Sequence, residues 1–262
     1  MRKSVTATVA MLAVGSLALT GCGQKNQSNP NAGKGGGTTS KSAPLQDLNI
    51  KSRDEVKNGG TVRFSIETLP TTWNALHIDG NTVDLSTTIM GFVGANNFDI
   101  AEDGTPKPDT DYLQSYDVQT NGGKQVVTLH LNPKARWNSG RTIDYTDYQA
   151  TWKANNGANE DFKMASSDGF NQIESVKKGD KDTDVVITYK ATYPDWTATW
   201  SSVMPKEGVG TPETFNNGWK QFKSEWFTGP FILDHIDQAQ KTLYLKRNPN
   251  WWGEKAKLDT VS

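Results

Sequence analysis

A single cysteine, Cys22, limits how this chain can be held together. One cysteine cannot close an intramolecular disulfide, and it cannot supply the paired thiolates of a structural zinc site. The rest of the chain must therefore fold around an ordinary hydrophobic core. Nine tryptophans among 262 residues are available for that core or for stacking surfaces, and the core is the commoner place for any one of them.

The first 22 residues read as a targeting segment. Arg2 and Lys3 are basic, and residues 5–19 are apolar or small and carry no charge. That run suits the core of a signal peptide but is short for a membrane-spanning helix, which needs about 20 apolar residues. It ends in Leu-Thr-Gly-Cys, which resembles the lipobox of bacterial lipoproteins. The resemblance implies a signal peptide over 1–21 and a lipid on Cys22; the alternative, a buried helix with a chance cysteine, is disfavoured by the polar sequence that follows.

Residues 23–44 are polar and rich in glycine, without hydrophobic periodicity. We therefore predict that 22–57 consists of the lipidated cysteine and a flexible linker. The glycines at 35–37 have no strand before them and no helix after them, which argues against a phosphate-binding loop. Since no other apolar run approaches membrane length, the lipid is predicted to be the sole anchor, at the outer face of the cell membrane.

Charge and motif content argue against several kinds of function. The 28 basic and 29 acidic residues are spread along the chain and give a net charge of −1, so no nucleic-acid partner is predicted. His77, His130 and His235 lack the spacing of metal ligands, and no Gly-x-Ser-x-Gly elbow occurs, so we predict no metal, no cofactor and no catalytic residue. Because the chain has 29 acidic residues, their number does not exclude a pair of carboxylates of the kind that glycosidases use. A charged surface explains most of these residues.

The body is predicted to begin near residue 58 and to mix strands with short helices. Asp144 has the character of a helix N-cap with Asp147 at the third helical position, and Asn-Gly-Gly at 121–123 is typical of a hairpin turn. The predicted strands are 61–67, 115–118, 125–131, 173–177, 184–189, 231–235, 241–247 and a start at 258–262. The predicted helices are 83–92, 144–152, 195–203 and a short helix within 211–222, with a turn-rich hairpin or loop at 99–108.

Four blocks of the body, in this order, carry a family resemblance. They are Gly-Gly-Thr-Val at 59–62 with Pro70 and Asn74, Leu-Asn-Pro-Lys-Ala-Arg-Trp-Asn-Ser-Gly at 131–140 with the helix after it, the segment 184–206, and 228–253 with its Asn-Pro-Asn-Trp-Trp-Gly. Together they resemble family 5 of the extracellular solute-binding proteins, the oligopeptide- and dipeptide-binding lipoproteins of ABC transporters. Ser139 stands where that family usually has Asp, and Pro133 also departs from its pattern.

The resemblance implies an α/β fold of the periplasmic-binding-protein type II, peptide-binding class. It covers the first lobe, with mixed β-sheets, and we predict a framework domain from 58–80 and 205–262 and an inserted smaller domain from 81–204. Because family members are roughly twice this length, the second lobe is expected to be missing. The implied function is non-enzymatic: a monomer captures a peptide outside the membrane and delivers it to the ABC permease subunits.

The resemblance also implies where a ligand would lie. Glu67, Thr68, Leu69, Trp73 and Asn74 would face the cleft between the lobes, where ligands of two-lobed receptors are held. An ordinary loop with a capping asparagine is the alternative, and both interpretations stay open.

Trp226 and Phe227 precede a Gly-Pro turn and are candidates for the cleft rim, with core packing as the alternative. Trp196 and Trp200 lie four residues apart on one helix face and are predicted to belong to the core. The tryptophans at 251–252 are predicted to pack near the hinge between the lobes.

Three further functions remain open from the sequence. The same fold would serve for an oligosaccharide, whose rings stack on tryptophan, or for a chelated metal. A truncated remnant would bind nothing. A lipid-anchored surface glycosidase would show turnover that is lost with one carboxylate.

Overall fold

The computed structural model describes Asn49 and residues 51–262. The predicted signal peptide over 1–21, the predicted lipidation of Cys22 and the predicted linker up to residue 48 lie outside these residues. Within the part that is described, no helix has both the length and the apolarity to cross a membrane.

The described residues form two four-stranded sheets and two short strand pairs. The strands are β1 (Thr61–Val62), β2 (Ala95–Asn96), β3 (Phe98–Ile100), β4 (Pro106–Pro108), β5 (Leu113–Asn121), β6 (Lys124–Leu131), β7 (Ile173–Lys178), β8 (Asp184–Tyr189), β9 (Ser202–Val203), β10 (Phe231–Asp237), β11 (Thr242–Arg247) and β12 (Thr260–Val261). The α-helices are α1 (Met90–Val93), α2 (Tyr145–Asn155), α3 (Trp196–Thr199), α4 (Lys206–Val209) and α5 (Pro212–Asn217), and a π-helical stretch, Asp84–Ile89, leads into α1.

The first sheet, in the order β1-β12-β11-β10, is mixed. β10 and β11 form an antiparallel hairpin, and β12 pairs antiparallel with β11 but parallel with β1. Leu243 and Leu245 alternate with more exposed residues along β11, so one face of the sheet is buried. The parallel pair joins residues about 200 positions apart and closes the sheet.

The second sheet, in the order β5-β6-β8-β7, is antiparallel throughout. Val127, Leu129 and Leu131 of β6 all point to the buried side, as the alternation in the sequence predicts. The hairpin between β5 and β6 turns at Gly122 and Gly123, whose φ angles of 58° and 81° lie in the region that glycine adopts without strain.

Helix α2 begins where the capping pattern predicts. The Asp144 side chain accepts from the Thr146 N–H at 2.8 Å, and the Asp147 side chain accepts from the Asp144 N–H at 3.2 Å. This reciprocal capping box satisfies backbone donors that the first helical turn leaves free. The helix buries Tyr148, Thr151 and Ala154. Tyr148 belongs to one hydrophobic cluster and Ala154 to another, and the Thr151 hydroxyl donates to the Met204 carbonyl.

Two predicted elements are shorter in the structure. The strand predicted over 61–67 is assigned over Thr61–Val62, and one further backbone bond, from Phe64 N–H to the Ser262 carbonyl, follows it. The helix predicted over 195–203 stops at Thr199, and Ser202–Val203 instead pairs with Ala95–Asn96 as a strand. For this helix a tertiary partner, which the local pattern does not reveal, sets the boundary.

The apolar side chains form two cores. The first lies beneath the β5-β6-β8-β7 sheet and includes Trp196 and Trp200, as predicted. The second lies beneath the β1-β12-β11-β10 sheet and includes Trp73, Trp219 and Phe227. The tryptophans at 251–252 are half-buried and pack against the first core although they follow β11 in the chain. The division into a framework domain and an inserted domain stays a prediction.

A buried carboxylate ties α2 to α4. Asp147 is fully buried and accepts from Arg141 Nη2 at 2.6 Å, Trp137 Nε1 at 3.1 Å and the backbone N–H of Lys206 at 2.9 Å. Arg141 also reaches Glu207 at 2.7 Å. Because Lys206 opens α4, one carboxylate fixes the start of both helices.

We expect Asp147→Ala to destabilise the fold by about 3–5 kcal/mol, because the change leaves the half-buried Arg141 without its main partner. Urea unfolding followed by tryptophan fluorescence measures this loss. Glu207→Gln is the matched control: Glu207 is exposed, and its removal should cost under about 1 kcal/mol. Equal losses in the two variants would contradict the role given to Asp147.

His130 lies across the second sheet between two carboxylates. Its Nδ1 is 2.9 Å from Asp184 and its Nε2 is 3.1 Å from Asp117. The hydrogen bond with Asp184, and then that with Asp117, raise the pKa of His130 above its usual value, and partial burial opposes them. The protonated imidazole donates to both carboxylates and links β5, β6 and β8.

A raised pKa in the folded state adds stability that is fully present below about pH 6.5 and is lost as the pH rises through the folded pKa. We therefore expect His130→Asn to lower the urea midpoint more at pH 5.5 than at pH 8.5, by a modest amount because the pair with Asp117 is exposed. Asp117→Asn in the wild-type protein should reduce the dependence of the urea midpoint on pH, because it removes one of the two carboxylates that raise the pKa of His130. An equal effect of His130→Asn at both pH values would refute this prediction.

Candidate functional site

The segment from residue 63 to residue 69, here called the edge segment, follows β1 along the rim of the first sheet. Phe64 N–H donates to the Ser262 carbonyl at 2.8 Å and continues the ladder by one bond. Among the described residues, the backbone groups of Arg63, Ser65 and Ile66 make no hydrogen bond within the chain. The edge segment therefore presents free backbone donors and acceptors.

Asp84 fixes the far end of the edge segment. Its Oδ2 accepts from the backbone N–H of Glu67 at 2.9 Å and of Thr68 at 3.0 Å. The side chains of Glu67 and Thr68 are exposed, and Leu69 is half-buried. The backbone is thus held at this turn while two predicted site residues keep their side chains in solvent.

Trp73 and Asn74, also predicted to face the cleft, lie in the second core. Trp73 is 3% exposed and packs edge-on against Phe222, with ring centroids 4.8 Å apart. Asn74 is fully buried: its Nδ2 donates to the Phe215 carbonyl at 2.9 Å, and its Oδ1 accepts from the Leu76 N–H at 3.0 Å. Both side chains support the loop behind the edge segment, and contact with a ligand stays a prediction for them.

The two candidates for the rim differ in exposure. Phe227 is buried and stacks on Phe222 with ring centroids 4.2 Å apart. Trp226 is half-buried, lies 4.7 Å from the Trp219 ring and carries Lys223 Nζ 4.0 Å above its own ring. Trp226 is thus partly accessible to solvent, whereas Phe227 belongs to the second core, and contact with a ligand stays a prediction for both.

Two motif asparagines join the blocks that carry the resemblance. Asn248 Nδ2 donates to Asn138 Oδ1 and to the Gly229 carbonyl, both at 2.8 Å. A Cβ on Gly229 would lie 2.1 Å from the Phe92 carbonyl oxygen, so only glycine fits there. The sequence analysis places Asn138 and Asn248 in two of the family blocks but does not predict that they bond to each other. Their presence in two separate blocks of the family pattern was the only hint of this contact that the sequence offers.

An acidic patch lies beside the block 228–253, where Glu254 acts on Asp111. Burial, together with the negative charges of Asp99 and Asp111, raises the pKa of Asp109 to about 6, while the hydrogen bond from the Asp111 backbone N–H opposes this rise. Burial also raises the pKa of Asp111, and Glu254 adds to the effect. Within the described part of the chain, no group of three or more His, Cys, Asp or Glu side chains is arranged to hold a metal ion.

Comparison with known families now identifies the class of protein. Residues 105–262 match the model of the bacterial extracellular solute-binding proteins, family 5, middle region. The chain belongs to this family. The resemblance and the fold class that the sequence predicts are both confirmed.

Curated relatives include the oligopeptide-binding protein OppA of Mycobacterium tuberculosis, which is 32% identical over an alignment of 254 residues that covers 94% of this chain and 42% of OppA. The probable monoacyl phosphatidylinositol tetramannoside-binding protein LpqW of the same species is 25% identical over 57% of this chain and 23% of LpqW. The chain therefore spans about two fifths of the length of OppA.

Solved structures share the fold. The periplasmic EDTA-binding protein EppA is 25% identical, with a TM-score of 0.70 over 78% of this chain and 39% of EppA. The oligopeptide-binding protein AppA of Bacillus subtilis, solved with a nonapeptide, is 20% identical, with a TM-score of 0.64 over 78% of this chain and 40% of AppA.

We expect Asp84→Ala to free the backbone at the end of the edge segment. The amides of Glu67 and Thr68 would lose the one acceptor they have among the described residues, so their hydrogen exchange should quicken by roughly tenfold or more. Exchange followed by NMR or mass spectrometry measures the change. Asp84→Asn keeps a side-chain oxygen and should stay near the wild-type rate; unchanged exchange in Asp84→Ala would show that other contacts hold this turn.

Proposed function

We propose that this chain forms one wall of a solute-binding receptor that captures extended peptides outside the membrane for an ABC importer. Membership of family 5 supports a solute-binding role without turnover. Among the proteins it is similar to, OppA is named for oligopeptide binding and AppA was solved with a nonapeptide. A signal peptide over 1–21, a lipid on Cys22, the permease partner and the monomeric state belong to the same proposal.

The observation that carries the peptide assignment is the free backbone of the edge segment. In an extended chain, successive residues direct their N–H and C=O groups to opposite sides. Phe64 N–H points to β12, so the backbone groups of Arg63 and Ser65 point away from the sheet. An extended peptide can add to such an edge through main-chain hydrogen bonds, whatever its side chains are.

The distribution of aromatic side chains favours a peptide over an oligosaccharide. A sugar ring needs an exposed aromatic face. Trp73 and Phe227 are buried, and Trp226 contacts both the Trp219 ring and Lys223 Nζ. Phe64 of the edge segment is 49% exposed, and its ring contacts Phe92. Trp73 and Phe227 are therefore not accessible for stacking, whereas the free backbone groups of the edge segment suit a peptide main chain.

A chelated metal is the second candidate, because EppA is named for binding EDTA. The free backbone groups of the edge segment match the main chain of a peptide, and no contact of that segment favours a chelate. A glycosidase would show turnover, and a remnant would bind none of these ligands.

Ser65→Pro tests the role of the backbone, since proline removes the N–H that the proposal gives to the ligand. Phe64 before it would stay extended, which proline favours. We expect the variant to bind a mixed peptide library about tenfold more weakly by titration calorimetry, which is about 1.4 kcal/mol.

Ser65→Ala is the matched control, because it changes the side chain and keeps the N–H; its affinity should stay within about twofold, below about 0.5 kcal/mol. Thermal melts of both variants show whether the fold is intact. Wild-type affinity in a folded Ser65→Pro variant would refute the backbone contact. Binding of an oligosaccharide or an EDTA complex, with no binding of peptides, would refute the proposed ligand class.

A further inference from the structure

Residues 77–82, here called the histidine loop, are folded around one residue. The His77 carbonyl accepts from the Gly80 and Asn81 N–H groups, both at 2.9 Å, and the ring nitrogen Nδ1 of His77 accepts from the Asp79 N–H at 3.0 Å. Three successive backbone donors of the loop therefore end on His77. By accepting the N–H two residues further on, the ring does what the side-chain oxygen of asparagine does in an Asx turn.

The bond at Nδ1 exists in only one protonation state of the ring. A neutral imidazole with its proton on Nε2 accepts at Nδ1, whereas a protonated imidazole donates at both nitrogens. A proton on Nδ1 therefore turns the acceptor into a donor that faces the Asp79 N–H. Among the described residues, the Asp79 N–H has no other acceptor.

The surroundings of the ring keep it neutral near pH 7. His77 is 4% exposed, and burial lowers its pKa below the usual value. The Asp79 carboxylate of the same loop opposes this shift of the pKa, whereas Lys163, from the segment that accepts the Ile78 N–H, adds to it. Helix α5 contributes the Phe215 ring, 6.1 Å away, which carries no charge. The ring therefore takes up its proton in acid.

A carboxylate lies close to the nitrogen that would gain the proton. Asp79 Oδ2 is 3.7 Å from Nδ1, too far for a hydrogen bond, and the Asp79 side chain is 74% exposed, so it is free to turn toward the ring. For that bond to form, the backbone of the loop must move away from Nδ1. Gly80 restricts small movements, because its backbone packs on Asn74: a Cβ at Gly80 would lie 2.1 Å from the Asn74 carbonyl oxygen. These contacts favour two separate arrangements of the loop, one for each protonation state.

The histidine loop lies against the end of the edge segment. Asp79 and Gly80 line one pocket together with Thr68 and Leu69. The loop also leads into the π-helical stretch that begins at Asp84, whose carboxylate holds the turn at the end of the edge segment. A change in the loop is therefore transmitted to this turn.

We propose that His77 is a pH-sensitive switch for the histidine loop. The neutral ring holds the loop in the arrangement that the structure shows, and a proton on Nδ1 releases the Asp79 N–H and opens the loop beside Thr68 and Leu69. A peptide at the edge segment is then held less tightly in acid than at neutral pH. This last step rests on the proposed function, whereas the switch itself does not.

NMR on the full chain tests the switch between pH 7.5 and pH 5.0. The ring signals of His77 should titrate with a midpoint below about 6.5, the ordinary pKa of histidine. The protection factor of the Asp79 amide, which corrects hydrogen exchange for the intrinsic effect of pH, should fall roughly tenfold with the same midpoint, because the amide loses its acceptor.

His77→Asn is the decisive variant, because the asparagine Oδ1 can accept the Asp79 N–H and does not titrate. We expect its Asp79 protection factor to differ by less than about twofold between the two pH values. His235→Asn is the matched control: the His235 side chain is exposed, and its replacement should leave the fall in Asp79 protection unchanged. His130 is present in both variants, so its titration is common to them. Thermal melts show whether each variant is folded.

Equal protection of the Asp79 amide at the two pH values in the wild type would overturn the switch. A fall in folded His77→Asn as large as that in the wild type would overturn it too, since the proton would then act elsewhere. If His77→Asn does not fold, the wild type still decides: midpoints for the His77 ring and for Asp79 protection that differ by more than about one pH unit overturn the proposal.

Titration calorimetry with the mixed peptide library tests the link to the edge segment. We expect the wild type to bind about threefold or more weakly at pH 5.0 than at pH 7.5, and His77→Asn to bind alike at both. Equal wild-type affinity at both pH values, together with a released Asp79 amide, would overturn the link. Absence of peptide binding at either pH would refute the proposed function instead, and the exchange data would still decide the switch.

Discussion

The pairing of β12 with both β1 and β11 is the contact on which the rest of this structure depends. Thr61–Val62 and Thr260–Val261 are separated by almost the whole described chain, and their parallel pairing brings its two ends into one sheet. This pairing gives the edge segment its direction along the rim of the sheet. Since it is so non-local, its formation must overcome a large loop-closure entropy, which the two packed cores offset.

Two polar junctions then connect the cores. Asp147 links the capped start of α2 to α4, and the Asn138–Asn248 pair links the hairpin loop after β6 to the block after β11. At each junction, the buried polar groups find their hydrogen-bond partners in only one arrangement of the neighbouring elements. The junction therefore fixes how these elements are placed more than it adds to the free energy of unfolding. The sequence motifs that carry the family resemblance are largely these junctions. Their residue types follow from what they bond, and the ligand is not needed to explain them.

Local patterns in the sequence predict much of this fold. The capping box at Asp144, the glycine turn at 122–123 and the alternation in β6 each concern residues close together in the chain, so the sequence contains the whole signal. The short α3 is different, because a distant partner, the strand Ala95–Asn96, takes up the residues that follow it. The burial of Trp73 and Asn74 also follows from tertiary contacts, with Phe222 and Phe215 respectively. Both residues lie in a loop, where the sequence has no periodicity that would show whether a side chain belongs to the core or to the cleft.

The edge segment is the surface that we propose receives an extended peptide. The most direct test of this proposal measures hydrogen exchange at each backbone amide of the segment. Hydrogen exchange measured by NMR, with and without a saturating peptide, should show slowed exchange at Arg63 and Ser65. Phe64 should change little, because its N–H already donates to Ser262. This alternation is the signature of a strand added at the outer edge. Bound peptide that leaves Arg63 and Ser65 unprotected, or protects a distant surface instead, would contradict the account.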